Sequence, residues 1–161
     1  MYPVLDICRY IINYSNKKNY EISNLKLQKL LYFVQACFLC FSQDKEPCFP
    51  EQIEAWDFGP VVPQAYHEYK QYGSGHIPPV DSYLSLKTGD VWEIERVPYH
   101  DNIIAEKDKE MIERVVDQFA SFSATDLVTL THHQAPWKQA YQPHANQVIR
   151  NEAIKEYFDE P

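Results

Sequence analysis

Glycine is scarce in this chain, with four residues in 161, against about 7% in an average protein. Only Gly73-Ser74-Gly75 brings two of them together, no third glycine follows, and no Walker pattern occurs. That argues against nucleotide cradles, which need glycine where the backbone approaches a pyrophosphate. A G-x-S-x-G nucleophile elbow is also missing. Basic charge is thin and scattered: 15 Lys and Arg against 23 Asp and Glu, net charge −8, with Lys17-Lys18 as the sole adjacent pair. Unaided nucleic-acid binding, which rests on clustered cations neutralising phosphates, is not expected. Long apolar runs are lacking too. The best, Leu30 to Phe41, is interrupted by Gln35 and is too short to span a membrane. The start, MYPVLDICRY, has no basic segment leading into an apolar one, so no targeting peptide is expected.

Cysteine is sparse as well, with four residues, expected to be reduced in a cytoplasmic protein. Cys37 and Cys40 form a C-x-x-C inside a helical stretch. Redox chemistry would place the first sulfur at a helix N-terminus, so core packing is the better reading. There is no second C-x-x-C and no H-x-x-x-H to complete a zinc site. His67-Glu68 has Gln71 where a zincin motif needs its second histidine. His132-His133 would point about 100° apart on a helix. Chance carboxylate pairs such as Glu51 with Glu54 are what an acidic surface provides. No catalytic, cofactor or metal set emerges.

What the chain does have is helical periodicity and aromatic rings, with 12 Tyr, 8 Phe and 3 Trp. Val4 to Tyr14 reads as a first helix. Ser23 or Asn24 caps a second, whose face of Leu27, Leu30, Leu31, Val34, Phe38 and Phe41 is the strongest periodic signal and marks the central core helix. Gln52 to Phe58 reads as a short strand ended by Gly59-Pro60. Pro63 suits the first turn of a third helix bearing Val62, Ala65, Tyr66, Tyr69 and Tyr72, stopped by Gly73. Tyr83 to Val97 is least regular, with Thr88-Gly89-Asp90 as a hairpin turn. Glu106 to Ala120 reads as a long amphipathic helix. Ser123 and Asp126 form a capping box for the next, ending about His132. Pro136-Trp137 opens a short helical piece, Gln147 to Ile149 a strand, and Asn151 a last helix. The expectation is one mainly α (α+β) domain over residues 1–161: a helical unit around a buried central helix, with a small β element.

Three segments in this order and spacing resemble one family: LQKLLYFVQA (Leu27 to Ala36), IEAWDFGPVVP (Ile53 to Pro63) and PWKQAY (Pro136 to Tyr141). AYHEYK from Ala65, Leu130-Thr131-His132 and IKEYF from Ile154 extend the likeness from Val4 to Phe158. The chain is thereby similar to the Panacea-domain group, also called SocA-like or GepA-like phage-associated proteins. Its family positions are Leu27, Gln28, Lys29, Leu30, Leu31, Tyr32, Trp56, Gly59, Pro60, Val61, His132, Pro136 and Trp137. The resemblance implies an antitoxin that neutralises a toxin protein encoded beside it, mostly by direct binding. One type in the family acts instead as an adaptor that delivers its toxin to a AAA+ protease. Neither role needs catalytic residues. The stretch from Tyr83 to Val97 departs from the family pattern and reads as a variable region.

The Gly59-Pro60 corner reads as architecture, because glycine relieves a strained backbone position and proline fixes φ. Trp56 is expected half-buried against the core helix. Phe58, Tyr66, Tyr69 and Tyr72 are the partner-binding candidates, although core packing and partner contact stay open for the tyrosine row. The competing classes are a protease adaptor, a small hydrolase using His132, His133, His67 and Cys48, and a scaffold or transcription cofactor.

Overall fold

A computed structural model describes residues 1–87, 89 and 92–159. In chain order the elements are α1 (Val4–Lys17), α2 (Asn24–Phe41), β1 (Ile53–Trp56), β2 (Gly59–Val61) and α3 (Pro63–Tyr69). After these come β3 (Ser82–Lys87), β4 (Glu93–Pro98), α4 (Glu106–Gln118), α5 (Ala124–His132), α6 (Ala135–Ala140), β5 (Gln147–Ile149) and α7 (Asn151–Asp159). Seven helices with a small sheet make the chain mainly α, as its periodicity predicts.

The second helix begins where a capping side chain satisfies one of its free N–H groups, that of its third residue. Ser23 accepts from the Lys26 amide. It stops at Phe41, beyond which the Ser42 hydroxyl donates to the Phe38 carbonyl. Fifteen of its 18 residues are buried, so this helix has no solvent face and the other helices gather round it. Leu27, Leu30, Leu31, Val34 and Phe38 are buried as expected. Phe41, assigned to the same face, is exposed instead, because it is the last helical residue and nothing covers it on that side.

Because no side of α2 faces water, its polar residues must find partners inside. Asn24, Gln28 and Gln35 fall within about 40° of one another at 100° per residue, and together they serve the backbone of neighbouring segments. The Asn24 amide donates to the Tyr66 carbonyl and the Val62 N–H donates to Gln28 Oε1. Gln35 donates to the Phe49 carbonyl and accepts from the Cys48 N–H at 2.8 Å.

The three-stranded sheet has the order β2-β1-β5 with antiparallel pairs, Ala55 opposite Pro60 and Ile53 opposite Ile149. One expectation needs correcting here. Gly59-Pro60 does not end the β region at a corner into a helix; it opens β2, and Asp57-Phe58 makes the two-residue turn of a hairpin. Proline is tolerated because β2 is an edge strand, where a missing N–H costs little. The helix entry comes three residues later, with Pro63 in its first turn as read.

Ser123 and Asp126 exchange both capping-box bonds at the start of α5. The stretch read as least regular contributes a two-stranded ribbon, β3 against β4, with Leu86 opposite Ile94 and Tyr83 opposite Val97. Of the turn expected at Thr88-Gly89-Asp90, Thr88 and Asp90 lie outside the described residues. Among the described residues no helix is long and apolar enough to cross a membrane.

Candidate functional site

The three family segments converge on the β1–β2 hairpin. Lys29, fully buried in α2, donates from Nζ to the Pro60 carbonyl at 3.0 Å. Gly59 sits beside it with φ of +105°, and a Cβ there would lie 2.6 Å from Lys29 Cε and 2.9 Å from Thr131 Oγ1. On the far side, Trp137 Nε1 donates to the Trp56 carbonyl at 2.8 Å and His132 Nε2 donates to the Asp57 carbonyl at 2.9 Å. The His132, Trp137 and Tyr141 rings stack in series at 4.0 and 4.5 Å, and the Tyr141 hydroxyl donates to Asp57 Oδ1. The hairpin tip is therefore held by side chains from α2, α5 and α6. Phe58 at that tip has nothing over it and is 67% exposed. The Tyr32 hydroxyl donates to Gln134 Oε1, tying α2 to the start of α6. Pro136 is buried in the first turn of α6, and Val61 is buried in β2.

Burial without a counter-ion pushes the Lys29 ammonium down to about 7. The unfolded value is near 10.4, so between these limits the folded chain binds fewer protons and its stability rises with pH. Lys29→Met should remove that rise, whose slope is at most about 1.4 kcal/mol per pH unit. Urea melts of parent and variant across this window check it. Parallel pH dependences would refute a titrating buried lysine.

The tyrosine row divides. Tyr69 is 5% exposed and turns into the core, so it is not a surface ring. Tyr69 lies four residues after Ala65 on the buried face of α3, so its ring follows Ala65 inward. Tyr66 is half-buried, edge-on to Trp56 at 5.0 Å. Trp56 thus packs on α3 through Tyr66, and its indole N–H is taken by Glu54 at 2.9 Å. Tyr72, half-buried, shares a cleft with Arg9, Glu68, Tyr83, Leu84 and Arg96, so the end of α3 and the β3–β4 ribbon meet at one place.

The ribbon is fixed at its base and open beyond it. Asn13 of α1 exchanges two bonds with the Val80 backbone, at 2.7 and 2.9 Å. The Arg9 guanidinium, paired to Asp6, lies 3.5 Å over the Tyr83 ring, a cation–π contact strengthened by burial. Tyr99 donates to the Asp6 carbonyl. Past this anchor, Leu84, Leu86 and Ile94 share one face and are 61%, 52% and 73% exposed, and Trp92 beside them is 73% exposed. No periodic signal announced that face, since the alternation in Tyr83-Leu84-Ser85-Leu86 is short. Gln35, Arg9 and Asn13 were missed for another reason: polar residues on helices are expected to face water, and Gln28 and Lys29 were singled out only through the family resemblance. The recurrence of amides at 24, 28 and 35 in an otherwise apolar helix was the available signal.

The residues of the hydrolase alternative are not brought together. His133 donates to the Thr129 carbonyl of its own helix, His132 is engaged with Asp57, and His67 lies edge-on to Tyr66. Burial pushes the Cys48 thiol well above its ordinary value, and those of Cys37 and Cys40 upward. A protonated thiol is a poor nucleophile. Among the described residues no three His, Cys, Asp or Glu side chains stand close enough to hold one metal ion.

Residues 27–138 match the family described as "Antitoxin SocA-like, Panacea domain". The chain is also 36% identical over 118 residues to Antitoxin SocA of Caulobacter vibrioides (strain NA1000 / CB15N). That alignment covers 72% of this chain and 58% of the relative, so the chain spans little more than half of that protein's length. No solved structure matches the chain.

Proposed function

Because the chain belongs to the SocA-like antitoxin family with a Panacea domain, we propose that it is an antitoxin that neutralises a toxin protein by binding it directly, without catalysis. The toxin is encoded nearby and the two meet in the cytoplasm. One observation carries the contact surface: Leu84, Leu86, Trp92 and Ile94 are exposed on a ribbon whose base is anchored to α1. Apolar patches of this kind mark interaction sites. The family residues around Gly59 hold the fold, while the partner-facing ribbon lies where the sequence departs from the family. Phe58 and Tyr72 extend the proposed surface; Tyr69 supports it from beneath.

Co-expression with the neighbouring toxin gene tests the reading. The parent protein should restore growth and copurify with undiminished toxin. A fall in toxin abundance that depends on a AAA+ protease would replace direct neutralisation by delivery. Leu86→Asp with Ile94→Asp should remove two anchors of about 2 kcal/mol each, roughly a thousandfold in affinity if they add. Rescue should then fail although the variant melts as the parent does. Full rescue by that variant would place the interface elsewhere.

A further inference from the structure

Among the described residues both outer edges of the ribbon are unpaired. The two edges are not equivalent. Glu93, Ile94, Glu95 and Arg96 of β4 are all exposed, whereas Ser82, Tyr83 and Ser85 of β3 are half-buried. Successive side chains of a strand point to opposite faces. Ile94 therefore joins Leu84 and Leu86 on one face, and Glu93 and Glu95 stand together on the other. Glu93 is opposite Lys87, but Glu95 is opposite Ser85 and has no ion-pair partner among the described residues. An open strand edge is a template for another chain.

We propose that the β4 edge accepts an extended segment of the partner protein in which apolar residues alternate with lysine or arginine. This rests on the reading of the ribbon as the partner surface and adds the chemistry of what binds there. The partner's backbone pairs with that of β4. Its apolar side chains extend the face of Leu84, Leu86 and Ile94, and its cations meet Glu93 and Glu95. The charges also argue against a second copy of this chain. Antiparallel pairing of two β4 edges about Ile94 would set Glu93 against Glu95 of the copy, and like charges directly opposite destabilise a sheet.

The test uses the full chain and three labelled nine-residue peptides, followed by fluorescence anisotropy. One alternates valine with lysine, one alternates valine with glutamate, and the third is the lysine peptide with a central proline. The lysine peptide should bind the parent at least tenfold more tightly than the other two. Exchanging Glu93→Lys and Glu95→Lys should reverse the preference between lysine and glutamate peptides. Ile94→Asp should abolish binding of both. All three positions are exposed, and matching thermal melts confirm that the variants fold. Equal binding of the proline peptide overturns backbone pairing, and an unreversed preference overturns the charge match. Self-association of the parent that Ile94→Asp removes, read by sedimentation, makes a second copy the occupant and overturns the proposal. Toxin rescue is read separately. Lost peptide selectivity with rescue intact rejects the edge alone, and failed rescue by the parent rejects the antitoxin reading.

Discussion

Gly59→Ala is expected to lower the unfolding free energy by about 2–6 kcal/mol. Two costs combine at this position. The backbone has φ of +105°, where a side chain is strained by about 1–3 kcal/mol. The new methyl would also enter space already filled by Lys29 and Thr131, and overpacking of this kind adds about 1–3 kcal/mol. Lys29 cannot withdraw freely, because its buried ammonium would leave the Pro60 carbonyl. Gly73 provides the control. It also has positive φ, +57°, but a Cβ there meets nothing within 4 Å. Gly73→Ala should therefore cost only the strain of its positive-φ backbone, about 1–3 kcal/mol. Urea denaturation of both variants decides the matter. Equal losses at the two glycines would mean that the Lys29 contact does not constrain Gly59.

Leu31→Ala should cost about 2–5 kcal/mol, the range for deleting a fully buried leucine side chain with partial collapse of the cavity. Leu31 is fully buried in a helix that is itself surrounded, so little is free to fill the gap. Phe41→Ala, at the exposed end of the same helix, should shift the midpoint hardly at all. A large loss at Phe41 together with a small one at Leu31 would reverse the orientation of α2.

How much of this was legible in the sequence differs from element to element. Local chemistry announced itself wherever one residue decides an outcome, as with Ser23 capping α2, the reciprocal Ser123 and Asp126 bonds, and Pro63 opening α3. The core face of α2 was legible because leucines at helical spacing have no other economical arrangement. Three features were hidden because they are set by neighbours distant in the chain. Pro60 could enter a strand only because β2 lies at the sheet edge, and that order depends on β5. Tyr69 turned inward with Ala65, on the face of α3 that packs against α1 and α2. Lys29 could be buried only because a carbonyl from a segment about thirty residues away came to meet it. As for the candidate surface, the stretch from Tyr83 to Val97 read as the least regular part of the chain, and its open apolar face emerged only from the register of β3 against β4.

The pairing of Ile53 with Ile149 and the packing of α7 on α2 have a consequence during synthesis. A ribosome has made α2, β1 and β2 long before it reaches the residues that close the sheet and cover the core helix. Closure of so distant a pair carries a loop-entropy cost that local helices do not. Until residue 149 and α7 have emerged, β1 keeps an unpaired edge and the Tyr32 and Phe33 rings lack Phe158 beside them, the kind of surface that quality-control proteases and chaperones engage. Chains cut short before β5 are thus expected to be cleared rather than stored. The yield of newly folded protein should therefore depend on translation running through β5 and α7.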